Sequence, residues 1–173
     1  MKELRKMKKF RFQLLHRWIT ENFKPCRVAD IGGGKGLLTY LLNQSGFEST
    51  VIDPFDQGLP GKFKSLDKQK FKISDESIPR ISKNFEKEMA KDFDILIGLH
   101  AHGSNMKIIE AAAEQGKDFI LLPCCVIDEP IEIRPNVNWL DSLEEYANKL
   151  GIKTARFELN FRGQNIGFYS INK

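Results

Sequence analysis

The sequence predicts an α/β fold, a mostly parallel sheet with helices on both faces. Three observations carry that expectation. The runs Asp94-Ile95-Leu96-Ile97-Gly98-Leu99 and Phe119-Ile120-Leu121-Leu122 are almost continuously apolar, the pattern of strands buried on both faces of a parallel sheet. Stretches of helical periodicity lie between such runs and stop at Gly46, Gly116 and Gly151. Finally, Val28-Ala29-Asp30-Ile31 feeds the turn Gly32-Gly33-Gly34-Lys35-Gly36, which opens directly into Leu37-Leu38-Thr39-Tyr40-Leu41-Leu42. Strand, glycine turn and helix in that order bring a ligand against the backbone N–H groups of a helix start, and the glycines remove the Cβ atoms that would block its approach.

The elements follow in order. A helix over about 3–23 ends at Lys24-Pro25, burying Phe10, Leu14, Leu15, Trp18 and Ile19. The first strand covers about 26–32, its helix about 35–45 and the second strand about 49–53. A loop rich in Gly, Pro and Lys (54–67) leads to a short third strand near 69–74, then a helix over about 77–91 capped by Asp75 or Ser77. The fourth strand ends near Leu99, Ser104 caps the next helix, and the fifth strand ends at Pro123. Asn138 or Asp141 opens a helix that stops at Gly151. Residues 154–161 and 166–171, joined by Arg162-Gly163-Gln164-Asn165, form an antiparallel pair.

At 173 residues the chain reads as one globular unit, with a basic leading helix over 1–24 and a ligand-binding domain over 25–173. Its 41% hydrophobic and 29% charged residues are those of a soluble protein. No stretch approaches the roughly 20 apolar residues of a membrane span, and no apolar core follows the basic start as in a signal peptide. Cys26, Cys124 and Cys125 make no disulfide framework, so a cytoplasmic location is expected.

Charge is unevenly placed. Lys2, Arg5, Lys6, Lys8, Lys9 and Arg11 face only Glu3 in the first dozen residues. Lys62, Lys64, Lys68, Lys70 and Lys72 make a second basic cluster, whereas 128–145 is acidic. Such asymmetry suits a phosphate backbone, so RNA is an expected partner through Lys6, Lys8, Lys9 and Arg11. The alternative for the first cluster is a solvated helix face. For the second it is an edge strand that shows lysine to water.

Glycine spacing separates the candidate ligands. In the dinucleotide fingerprint G-x-G-x-x-G, counted from Gly32 and Gly34, the third glycine falls on Leu37. The chain instead carries Asp30-x-Gly32-x-Gly34-x-Gly36. Downstream, Val51-Ile52-Asp53-Pro54 closes a β-rich run on a carboxylate that can accept both hydroxyls of a ribose; the other reading of Asp53 is an ordinary turn opener.

An acid followed by alternating glycines resembles the first motif of class I S-adenosylmethionine (SAM) methyltransferases. The resemblance implies a Rossmann-like seven-stranded sheet with one antiparallel strand, SAM as cofactor, and Asp30, Gly32, Gly33, Gly34, Gly36, Asp53, Leu99 and His100 around it. The turn Leu99-His100-Ala101-His102-Gly103 and the later Pro123-Cys124-Cys125 resemble a subset of these domains that includes eukaryotic tRNA ribose methyltransferases. Those relatives usually carry Cys at the position of His102, and often Tyr or His where this chain has Val126-Ile127. The Asp/Asn-Pro-Pro-Tyr/Phe signature of amino methyltransferases is missing at 98–103, so methylation of an exocyclic amine is not expected.

His100 is the candidate catalytic residue, orienting cofactor or substrate and able to accept a proton from a hydroxyl; the alternative is a histidine that satisfies the loop backbone. His102, Cys124, Arg162 and Asn165 are placed on the substrate side. No metal is expected, because adjacent cysteines with His-x-His match no established zinc spacing. Two function classes stay open: a SAM-dependent methyltransferase acting on RNA, and a silent protein of the same fold that binds a nucleoside or RNA without chemistry.

Overall fold

The computed structural model describes residues 3–73 and 77–171. Its strands are β1 (Arg27–Ile31), β2 (Glu48–Ile52), β3 (Lys62–Lys64), β4 (Lys70–Lys72), β5 (Arg80–Ile81), β6 (Ile95–Leu99), β7 (Asp118–Leu122), β8 (Thr154–Glu158) and β9 (Ile166–Ser170). The α-helices are α1 (Arg11–Asn22), α2 (Leu37–Gln44), α3 (Asn105–Gln115) and α4 (Trp139–Lys149). The main sheet has seven strands in the order β5-β2-β1-β6-β7-β9-β8. Its pairs are parallel from β5 through β7, and β9 runs antiparallel to both β7 and β8. This is the strand order of the Rossmann-like class I methyltransferase fold. The order reverses on either side of β1, where doubly wound sheets hold their ligands.

Side-chain alternation explains the two layers. Val28 of β1, Ile95, Ile97 and Leu99 of β6, and Ile120 and Leu122 of β7 face α1 and α2, packing on Leu14, Leu15, Ile19, Leu38 and Leu42. Ala29, Ile31, Leu96, Phe119 and Leu121 face the other way, onto Ile108, Ile109, Ala112, Leu143 and Ala147 of α3 and α4. Every residue of β6 is buried, as its unbroken apolar run requires. The leading helix is therefore part of the same core as the sheet.

Three expectations are corrected. The leading helix starts late, as a single 3-10 turn at Lys8–Phe10 followed by α1. Residues 3–7 are not helical, and Lys6 bridges Phe161: its N–H reaches Asn160 O at 2.9 Å and its carbonyl accepts from Arg162 N at 3.0 Å. The third strand of the main sheet is not 69–74. That segment supplies β4, which pairs with β3 in a separate two-stranded ribbon, and the outer position beside β2 is taken by β5. Nor is 77–91 a helix. Pro79 disfavours the α region at Ile78, and its carbonyl instead accepts from Val51 N at 3.0 Å. Only a 3-10 segment, Lys87–Asp92, follows. Ser77 caps no helix there, and Asp75 lies outside the described residues.

Caps are mixed. Asn138 accepts from Leu140 N at 2.8 Å, as expected of an N-cap, and Gly116 ends α3 in the left-handed conformation. Ser104 contributes no side-chain cap to α3; the Glu129 carboxylate does, accepting from Asn105 N at 2.6 Å and Met106 N at 3.1 Å.

At Gly167 in β9, a Cβ would stand 2.4 Å from Leu121 O and 2.5 Å from the Phe157 ring. Gly167→Ala should therefore cost about 1–3 kcal/mol through overpacking of the β7–β9–β8 corner. Urea denaturation should show a lower midpoint at unchanged slope; an unmoved midpoint would show that this corner yields freely.

Candidate functional site

A cleft of about 820 Å³ opens at the carboxyl ends of β1 and β6, within the range of roughly 300–1,000 Å³ common to small-molecule sites. Asp30, Gly32, Gly33, Gly34, Lys35, Gly36, Leu37, Leu99 and His100 form its floor. Residues 9–13 and the ribbon residues Lys62, Phe63, Lys64 and Lys70 form its walls. The ribbon is pinned across the cleft by Gln13 Nε2, which donates to Lys64 O at 2.6 Å, and by Lys6 Nζ, which donates to Leu66 O at 3.2 Å. Phe63 stacks on Phe71 with ring centroids 5.3 Å apart. Among the described residues, Lys9, Arg11, Lys35, Lys62, Lys64 and Lys70 make the lining strongly basic around the carboxylate of Asp30.

Asp30 is 1% exposed. Thr39 Oγ1 donates to its Oδ2 at 2.9 Å and is itself 2.8 Å from Ser49 Oγ, so with Thr39's proton committed the Ser49 hydroxyl must donate to Thr39. Burial pushes the Asp30 carboxyl up to about 6, against the lowering effect of Thr39 and Arg80. Gly33 lies on this carboxylate: a Cβ there would meet Asp30 Oδ2 at 2.7 Å. Gly34 is different. Its φ is +58°, and among the described residues nothing lies within 4 Å of where its Cβ would be, so the space in front of it is open.

Asp53 does not line the cleft wall. Its carboxylate braces the glycine turn from behind, accepting from Gly34 N at 3.0 Å and Phe55 N at 2.9 Å. Each oxygen retains capacity for a second donor. Arg80, which sequence reasoning places in a helix and misses, completes the brace. Its guanidinium donates to Gly34 O at 2.7 Å and to Lys35 O. No sequence signal marks it, because β5 is only two residues long.

His100 occupies the left-handed region at φ 52°, which costs a non-glycine residue about 1–2 kcal/mol. Two bonds hold it: its N–H donates to Leu122 O at 2.9 Å, and its Nε2–H donates to Gln164 O at 3.1 Å. That bond assigns the proton to Nε2 and leaves Nδ1 as an acceptor. The turn 162–165 therefore lies on the same rim as His100. Arg162 is exposed there, whereas Asn165, expected on the substrate side, is 7% exposed and turned inward, its amide donating to Leu159 O at 2.8 Å. His102, Cys124 and Cys125 converge beside it: His102 Nε2 lies 2.8 Å from Cys124 Sγ and 3.6 Å from Cys125 Sγ. Burial raises the Cys124 thiol, with Cys125 adding to the effect, the opposite of what an activated nucleophile requires. Among the described residues, no helix is long and apolar enough to cross a membrane.

No protein-family model matches the chain. It is 33% identical over 103 residues to a Caenorhabditis elegans protein named "Probable tRNA (uracil-O(2)-)-methyltransferase"; the match covers 59% of this chain and 18% of that protein. The Caenorhabditis briggsae protein of the same name is 29% identical over the same 103-residue length, again 18% of its sequence. The chain thus spans under a fifth of these relatives. Among solved structures, a ribosomal protein L11 methylase from Lactobacillus delbrueckii superposes with a TM-score of 0.56 at 14% identity, covering 98% of this chain and 82% of that one. A Streptococcus thermophilus protein that carries a hemolysin name gives 0.59 at 16% identity, covering 98% of this chain and 67% of that one. These likenesses show the fold, and the fold alone names no reaction.

Burial depresses the His100 imidazole to about 4, opposed by the Gln164 carbonyl and aided by Lys8, Arg11 and His102. An imidazole whose folded value lies below the ordinary 6.5 adds stability that is present above pH 6.5 and lost as pH falls through 4. NMR titration of the ring should therefore give a midpoint near 4. A midpoint near 6.5 would mean that the ring is solvated and the Gln164 contact transient.

Proposed function

We propose that this chain is a SAM-dependent methyltransferase acting on RNA. One observation carries the reading: a glycine turn is clamped onto a buried carboxylate at the switch point of the sheet and opens on a cleft with basic walls. The names of the curated relatives supply the RNA half.

The residues fit the cofactor. Asp30 offers the methionine ammonium a negative partner already isolated from water, where such a contact is strongest. Gly33 lets the turn itself close on that carboxylate, and Gly34 leaves open the space in front of the turn. Asp53 has acceptor capacity left for a ribose hydroxyl while it braces the loop. Leu99 supplies apolar floor beside His100. Bound SAM provides an electrophilic methyl group, and its in-line transfer gains chiefly from positioning rather than from a strong base. Neutral His100, with Nε2 engaged by Gln164 O, turns Nδ1 to the proton of an attacking hydroxyl. Lys8, Lys9 and Arg11, with Lys62, Lys64 and Lys72 of the ribbon, would carry the phosphate backbone across the rim; Lys6, bound to Leu66 O, holds the ribbon in place.

Calorimetry tests the cofactor half. Gly34→Val should weaken SAM binding tenfold or more, because the side chain enters the ligand's space and a β-branched residue strains the turn at φ +58°. Circular dichroism checks that the variant is folded. Undiminished affinity would remove the glycine turn from the site. SAM binding without methyl transfer to any RNA would favour a silent binding protein.

A filter-binding salt series tests the RNA half. Log affinity should fall linearly with log salt, and reversing Lys8 and Lys72, which stand outside the cleft lining, should flatten the slope by about 0.7 for each phosphate no longer neutralised. An unchanged slope would take the RNA path away from the leading segment and the ribbon.

A further inference from the structure

We propose that His102, Cys124 and Cys125 form a binding site for a thiophilic divalent cation, Zn²⁺, with three protein ligands and an open fourth position. The sequence alone argues against it, because adjacent cysteines rarely share an ion and His-x-His sets no zinc spacing. Sequence spacing, however, does not show where two strand ends meet.

β6 and β7 pair in parallel up to Leu99 and Leu122, and the ladder continues one step further through the bond from His100 N to Leu122 O at 2.9 Å. The two segments leave the sheet side by side, so His102 comes to stand over the cysteine pair. The loop after β7 is then tied back at its far end. Glu129 spends both carboxylate oxygens on Asn105 N and Met106 N, and Asp128 packs where a Cβ of Gly103 would be, at 3.3 Å. The three side chains thus sit in a turn and a loop fixed to each other, as a preformed site requires.

Zn–S bonds of about 2.3 Å and a Zn–N bond of about 2.0–2.1 Å, arranged tetrahedrally, place sulfurs about 3.8 Å apart and sulfur and nitrogen about 3.6 Å apart. The two sulfurs are 3.7 Å apart, and Cys125 Sγ is 3.6 Å from His102 Nε2. Two edges of the required face are therefore already at length. The third, His102 to Cys124, is 2.8 Å and must open to about 3.6 Å, which the exposed His102 ring can do by a small rotation. All three ligand atoms fall within 4.8 Å of one another. One imidazole and two thiolates select Zn²⁺ over the hard cations Mg²⁺ and Ca²⁺. The fourth position is left to water or to an oxygen ligand, the arrangement of zinc sites that are not purely structural.

The proposal stands independently of methyl transfer. Chain stripped by chelator and held in a phosphine reductant should bind one equivalent of Co²⁺, with the charge-transfer absorption of cobalt–thiolate bonds, and Zn²⁺ should displace it. His102→Ala and Cys125→Ser should each weaken Zn²⁺ at least tenfold against a competing chromogenic chelator. His102→Cys should retain it. Circular dichroism checks that each variant is folded, and His102→Ala, at an exposed position, keeps the test decisive if the cysteine variant does not fold. Absence of thiolate absorption, or equal Zn²⁺ affinity in the wild type and the His102→Ala variant, would overturn the site. So would a reduced chain that takes up no metal.

Discussion

A carboxylate sealed at the end of β1 sets the terms for everything around it. Asp30 faces the α1/α2 layer in a row of aliphatic side chains, and its burial costs free energy that the Thr39 backbone and hydroxyl, backed by Ser49, and the Arg80 charge only partly offset. Thr39 must therefore sit in the first turn of α2, and Ser49 must sit on β2 opposite Val28. The turn between β1 and α2 has to pass over the carboxylate within a distance that admits no Cβ at Gly33. Loop, helix and neighbouring strand are thus solutions to one electrostatic problem, and the ligand cleft is what the turn leaves open.

Much of this is legible in the amino-acid order. Unbroken apolar runs announce β6 and β7, glycine stops announce the ends of α2, α3 and α4, and the spacing after Asp30 announces the turn. The failures have specific causes. Lysine at every second position of 68–73 does mark a strand, but period-two patterning reports a half-exposed surface and cannot say which sheet owns it. A helix over 77–91 follows from composition only if Pro79 is given too little weight: a proline at the third position disfavours the α region at the residue before it. Glu129 as the cap of α3 is invisible to sequence because it acts across a span of some two dozen positions, whereas capping rules read only neighbours.

The site itself divides in the same way. Glycines and Asp30 are contiguous and can be read together. Arg80, Gln164 and the meeting of His102 with the cysteine pair depend on strand adjacency, which no local pattern encodes. Asn165 shows the converse: a polar residue in a turn suggests an outward role, yet the hairpin needs its amide to satisfy Leu159 O. At rims of this kind, polar residues are divided between holding the backbone and meeting the ligand, and only the three-dimensional arrangement assigns them.

The bridge between the leading segment and the last hairpin bears on how the protein reaches this state. Asn160 Nδ2 donates to Leu4 O across 156 positions of chain, and Lys6 pairs with 160–162 beside it. Contacts of that separation carry the largest loop-closure entropy and form only after nearer ones have reduced it. During synthesis the strand–helix units from β1 to β7 can collapse while the backbone of Lys6 still lacks its partners at 160–162, since β8 and β9 have yet to emerge. The bridge that anchors residues 4–6 beside the basic rim is consequently the last to be assembled. An unfinished chain carries its leading segment unanchored.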